Sequence, residues 1–139
     1  MIPKAHPLVV HHDARGRLCV LVTEPQSHPH VYFTTLYPGI IKAFHRHKKQ
    51  TDFMTCVSGM VRIVVTNGEN GAYQFISGEQ APVMVEIFPG WWHGIQNLGK
   101  REAVIVNCPT EAYNEKEPDE ERKPWNDYDL GFDWLKRNG

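Results

Sequence analysis

The sequence predicts an all-β fold, a sandwich or small barrel, and three observations carry that prediction. Apolar residues come in short runs rich in Val, Ile, Thr, Phe and Tyr; within the runs the period is near 2 rather than 3.6; and turns containing Gly, Asn or Pro separate them at short intervals. At 139 residues the chain is expected to form one domain, 1–139, because a chain of this size buries roughly two thirds of its unfolded surface without staples. The barrel core is expected over about 7–108 and a C-terminal extension over about 109–139.

Taken in order, "LVVHH" and "LCVLVTE" flank the turn "DARGR", and "VYFTTLY" runs into "YPG". "FMTCVS" and "MVRIVVT" meet at Gly59, which reads as a tight hairpin. "NGENG" leads into "AYQFI", "SGE" separates that run from "VMVEIF", and "AVIVN" follows "NLGK". The β-branched side chains suit a pleated surface, while the Gly and Asn of the turns accept the positive φ that reversal requires. After Cys108 the composition becomes charged, yet Tyr113, Trp125, Tyr128, Phe132 and Trp134 remain. A segment with so many aromatics has apolar surface to bury, so it is expected to be mostly irregular and packed back on the barrel. The run "EKEPDEERK" reads as its solvated face.

Fifteen basic and sixteen acidic residues nearly cancel, which excludes the overall field that gathers nucleic acid or anionic membrane. No span of about 20 apolar residues and no leader pattern is visible, so a cytoplasmic protein is expected. Cys19, Cys56 and Cys108 are odd in number, far apart and set in apolar runs; they read as reduced, buried thiols.

The chemistry concentrates in two segments. In "HRHKKQTD", His45 and His47 are spaced by two, which on a strand turns both rings to one face, and Asp52 can approach from the next strand. In "FPGWWHGIQN" the turn at Pro89 and Gly90 leads directly to His93. Three imidazoles and a carboxylate at His45, His47, Asp52 and His93 suit a divalent transition metal such as Fe, Mn, Ni or Zn, and they suit acid/base work equally well. Trp91, Trp92 and Tyr32 are either core or a stacking surface for a ligand. His6, His11, His12, His28 and His30 show no partner pattern and read as surface residues.

Gly39, His45, His47, Asp52 and Gly59 reproduce the spacing of the first motif of the cupin superfamily, with Asp in place of Glu, and Gly90, His93 and Asn97 that of the second. The chain thus resembles the cupins, which implies a double-stranded β-helix, or jelly-roll barrel, with its site in the mouth. Within them, "DARGRL", "KAFH", "GWWHGI" and "AYNEKEPDEERKPWNDYDLGFDW" resemble the branch of dTDP-4-dehydrorhamnose 3,5-epimerase, the deoxysugar nucleotide epimerases. That likeness implies a keto-sugar nucleotide substrate, no required cofactor, His45 as the base, His47 beside it and Asp127 as the carboxylate that orients His45.

The same resemblance sets Arg15 at the family's arginine for the nucleotide diphosphate and Lys42 where the family has another arginine before its histidine; Trp92 and Asn107 are further candidates for contact with the substrate. Two departures stand out: the family's enolate-stabilising lysine aligns with Asp52, and its proton-returning tyrosine aligns with Asn107. An enolate beside a bare carboxylate would be destabilised. The "HxHK" of His45 to Lys48 is also similar to dTDP-sugar 3,4-ketoisomerases, whose paired histidines need no such lysine. A metal-dependent cupin enzyme and a catalytically inactive nucleotide-sugar-binding cupin are the alternatives. A homodimer is expected, since a second copy would cover an open sheet edge.

Overall fold

The computed structural model describes residues 1–69 and 71–136. Its strands are β1 (Lys4–Pro7), β2 (Val10–Asp13), β3 (Gly16–Cys19), β4 (Tyr32–Leu36), β5 (Ile41–Arg46) and β6 (Asp52–Ser58). They continue as β7 (Met60–Thr66), β8 (Ala72–Gly78), β9 (Val83–Ile87), β10 (Trp92–Asn97), β11 (Ala103–Asn107) and β12 (Glu121–Arg122). Two five-stranded sheets, β1-β9-β6-β11-β4 and β12-β5-β10-β7-β8, form the jelly roll, and β2 pairs with β3 as a separate hairpin. The expected all-β cupin barrel is therefore present.

Alternation along the strands builds two apolar layers. Between the sheets lie Leu36, Met54, Cys56, Val61, Ile63, Val65, Val85, Ile87, Ile95, Ala103 and Ile105. Phe44, Val64 and Trp92 point to the opposite face of the second sheet, where Leu130 and Trp134 of the C-terminal segment cover them. Of the aromatics that led to this expectation, Trp134 and Phe132 pack here, while Tyr113, Trp125 and Tyr128 are exposed. The segment is irregular apart from β12 and a 3₁₀ turn at Tyr128–Leu130. Burying Leu130 and Trp134 stabilises the segment's docking by roughly 1.5–3 kcal/mol for each side chain.

Some expectations need correction. "LCVLVTE" is a strand only through Cys19, and the chain then leaves the sheet. Barrel pairing starts before residue 7, with Lys4 opposite Glu86. His28 and His30 are half-buried rather than surface residues: His28 Nδ1 bonds the Cys108 carbonyl at 2.6 Å, and His30 stacks on Tyr113. The cysteines are free, Cys56 and Cys108 buried and Cys19 half-buried. Among the described residues no helix is long and apolar enough to cross a membrane.

Candidate active site

The site lies in the barrel mouth, where β5 and β10 face β4, β6 and β11 across the gap between the sheets. Gly90, at φ +89°, makes the tight turn before β10 and donates its N–H to the His47 carbonyl at 2.8 Å, which ties the two histidine segments together. His93 and His45 are register partners. One step along, Gly94 lies so close to β5 that an added Cβ would stand 2.3 Å from the Ala43 Cβ. A glycine is needed there by proximity, and it brings the two strands' histidines to ring centroids 6.4 Å apart.

Asp52, at the start of β6, is 1% exposed and has both oxygens occupied. Its Oδ2 lies 3.2 Å from His47 Nε2 and 3.1 Å from His93 Nε2, while Oδ1 accepts from Gln50 Nε2 at 2.6 Å and Asn107 Nδ2 at 3.0 Å. Burial favours the neutral acid, but the hydrogen bonds and charges of His47 and His93 hold the carboxyl far below the usual carboxylate range. Burial also works against a charged His47; the bond and charge of Asp52, with Asp119 behind, raise it to about 9. The pair is an imidazolium and a carboxylate, neutral as a unit.

His45 is set apart from this cluster. Its Nδ1 lies 2.8 Å from Glu120 Oε1, close but not aligned as a hydrogen bond. Burial lowers its pKa, and the neighbouring His93 adds to that effect, more than Glu120 raises it. The ring is consequently neutral near pH 7, with Nε2 free of protein partners among the described residues. Glu120 arrives with β12, whose register sets Arg122 opposite His45 and Glu121 opposite Arg46. Its neighbour Asp119 accepts from the backbone N–H groups of Lys48, Lys49 and Gln50 at 2.8, 2.9 and 3.0 Å, and its carbonyl lies 2.5 Å from His47 Nδ1. The C-terminal strap thus holds both histidines from behind.

These residues enclose a cavity of about 190 Å³ lined by Tyr32, Lys42, His45, His47, Asp52 and Asn107, among others. A wider groove of about 660 Å³ adjoins it and shares Tyr32, His47 and Glu120. Pockets for drug-sized ligands run to roughly 300–1,000 Å³, so the inner space takes a single ring and the outer one takes more.

The sequence-based candidates divide accordingly. His45, His47, Asp52, His93, Lys42 and Asn107 converge on the cavity. Asp127 does not: its side chain caps the 3₁₀ turn by accepting from Asp129 N at 3.2 Å, with Lys123 Nζ 3.7 Å away. The carboxylate beside His45 is Glu120. Trp92 is 5% exposed and faces outward, with Arg46 4.4 Å above its ring; since β10 alternates, a Trp next to an inward His93 has to point away. Arg15 pairs with Asp13 at 2.5 Å in the exposed β2–β3 turn, away from this cavity. Lys42 Nζ donates to Thr34 Oγ1 and the Thr35 carbonyl, both at 2.9 Å. Glu120, Asp119 and Gln50 carried no signal in the sequence, because nothing in the spacing of a charged run couples position 120 to position 45.

The imidazole and carboxylate donors of His47, Asp52 and His93 lie within 4.8 Å of one another. Two imidazoles and a carboxylate are a donor set that fits a divalent transition metal. His45, turned to Glu120, is not part of that group.

A jelly-roll barrel with imidazoles and a carboxylate in its mouth is a cupin. The chain belongs to the family described as polysaccharide biosynthesis C-terminal domain, whose model matches residues 11–121. It is 34% identical to the spore coat polysaccharide biosynthesis protein SpsL of Bacillus subtilis (strain 168), covering 94% of this chain and 93% of the relative. It is 31% identical to the probable low-salt glycan biosynthesis epimerase Agl13 of Haloferax volcanii, over 91% and 89%. In structure it is similar to a dTDP sugar isomerase from Desulfovibrio desulfuricans G20, with a TM-score of 0.87 and 20% identity over 98% and 92% of the two chains. At that identity the likeness speaks for the fold.

Proposed function

We propose that the protein is an epimerase or isomerase of carbohydrate biosynthesis that acts on a keto-deoxysugar nucleotide by removing a proton next to the ketone. His45 is the base, Glu120 its orienting carboxylate, and no cofactor is required. The observation that carries this reading is a neutral imidazole whose Nδ1 lies 2.8 Å from a carboxylate oxygen, with Nε2 free toward a cavity the size of one ring. A neutral imidazole beside a carboxylate is suited to this step. The epimerase and isomerase names of the relatives agree with it. The sugar occupies the inner cavity, and the nucleotide extends into the adjoining groove.

Incubating the protein with a panel of 4-keto-6-deoxy nucleotide sugars in deuterated water, with NMR detection, tests the reading. Exchange next to the ketone should be lost in His45→Asn; unchanged exchange in that variant removes His45 as base. We also place the protein in the cytoplasm, where nucleotide sugars are made, and propose a homodimer, because the edge strand β4 exposes Phe33 at 67% and is followed by Tyr37 at 69%. Sedimentation velocity checks the dimer.

A second reading has its own observation, the convergence of His47, Asp52 and His93. These three residues would hold a divalent ion, which would supply Lewis-acid polarisation of a substrate oxygen. Elemental analysis of purified protein separates the two, near-stoichiometric metal favouring this second reading.

A further inference from the structure

We propose that Tyr32 is the acid that returns a proton to the substrate carbon, and that Asn107 aims its hydroxyl; the assignment rests on the keto-sugar reading above. Position 107 carries an amide, which cannot serve as a general acid, but its cross-strand partner can. Asn107 and Tyr32 are register partners on β11 and β4, so their side chains stand on the same face of the first sheet, roughly 5 Å apart at Cβ. There they line the cavity opposite β5 and β10.

The hydrogen bonds fix which way the tyrosine proton points. Asn107 Oδ1 accepts from Phe53 N at 3.1 Å. With the amide oriented by that bond, the two Nδ2 hydrogens go to Asp52 Oδ1 and to Tyr32 Oη, each at 3.0 Å. Tyr32 Oη is therefore an acceptor toward Asn107, and its own O–H is left over for something else. No other described residue hydrogen-bonds to it, so the hydroxyl is free to donate to a ligand in the cavity. Burial, with the charges of Asp52 and Glu120, raises its pKa above the ordinary 10, outweighing the Asn107 bond; the phenol keeps its proton at neutral pH.

His45 and Tyr32 stand on opposite sheets, with room for one sugar ring between them. His45 Nε2 takes the proton from the carbon next to the ketone, and the C–H electrons move into the enolate. The same carbon then takes the Tyr32 proton from the opposite side, forming a new C–H bond and leaving a phenolate. His45 releases its proton to water and the phenolate recovers one from water. No oxidant or reductant is needed, and the configuration at that carbon inverts.

The test is Tyr32→Phe, assayed in deuterated water with the same 4-keto nucleotide sugars. Only a hydroxyl on a partly exposed ring is removed, and circular dichroism and thermal melting check that the fold is kept. Formation of the inverted product should fall by about 10²–10⁴-fold, while recovered substrate still gains deuterium from the His45 side within a few-fold of the wild-type rate. That split between turnover and exchange is not what a merely structural defect gives. Product formation retained within a few-fold overturns the assignment, and so does parallel loss of exchange and turnover. A wild-type protein that exchanges nothing across the panel overturns the keto-sugar reading itself, and with it the role of Tyr32.

Discussion

Replacing Gly94 by Ala connects backbone packing to the chemistry directly. The new methyl would sit 2.3 Å from the Ala43 Cβ and 3.0 Å from both the Ala43 Cα and the Lys42 carbonyl oxygen. Carbon atoms rest at roughly 3.5–4.0 Å, so β5 and β10 have to part by more than about 1 Å. Overpacking of that size costs about 3 kcal/mol, the upper end of its usual range. His93 immediately precedes Gly94 and pairs with His45, so the same movement displaces His45, the proposed base, from its cavity wall. A misplacement of about 1 Å can cost around 10²-fold in rate.

Urea denaturation of wild type, Gly94→Ala, Ala43→Gly and the double variant forms the assay, with deuterium exchange measured in parallel. Ala43→Gly alone should cost about 1 kcal/mol, for a glycine within a strand. In the double variant the methyl at 94 occupies the space vacated at 43, so the coupling should be favourable by about 1–2 kcal/mol. Recovery stays partial, because the contacts to the Ala43 Cα and the Lys42 oxygen persist. A Gly94→Ala protein within about 0.5 kcal/mol of wild type, or a cycle without coupling, would refute the reasoning.

Asp119→Ala removes an acceptor from three backbone N–H groups of the 48–50 loop; it should cost about 1–2 kcal/mol in urea denaturation and speed amide exchange in that loop. Trp134→Ala empties a site that is 2% exposed and packed on Phe132 and Phe44, so a loss of about 3–5 kcal/mol is expected. Trp134→Phe should cost much less, because the buried indole Nε1 has no partner among the described residues and its removal recovers part of the lost packing. The His47–Asp52 pair makes stability depend on pH in two windows. The His47 contribution is complete below its unfolded value of 6.5 and is lost as pH rises through about 9, about 3 kcal/mol for the whole shift. The Asp52 contribution is present above 3.8 and is lost as pH falls through its lowered folded value. Denaturation midpoints measured across pH should show the alkaline slope in wild type and lose it in Asp52→Asn.

The parts of the barrel that bury Val and Ile on alternate positions were legible as runs, and β6, β7, β9 and β11 follow them closely. β5 and β10 were not, because Lys42, His45, His93, Gly94 and Gln96 interrupt their apolar pattern; the glycine and histidine spacing revealed them instead. The outward direction of Trp92 was available from parity, since its neighbour His93 faces in. The position of Glu120 was not available. It depends on a two-residue strand pairing with a partner 75 residues away, and a charged run has no periodicity to fix such a register. Asp127 misled because a "WND" likeness constrains sequence alone, whereas the local bond to Asp129 N turns the carboxylate into a cap.

The site's departures from the residues that the resemblance implies share one physical cause. A barrel mouth specifies where an atom must be, and neighbouring strands can deliver it from more than one backbone position. The hydroxyl missing at 107 is supplied across the β4–β11 ladder by Tyr32, a distance an aromatic ring spans easily. The carboxylate not delivered by Asp127 comes with β12 as Glu120. Asp52 then ceases to be the liability it looked in isolation. Gln50 and Asn107 take one of its oxygens, His47 and His93 the other, and the bonded His47 is an imidazolium. What an enolate in the cavity would meet is a neutralised pair, not a bare negative charge.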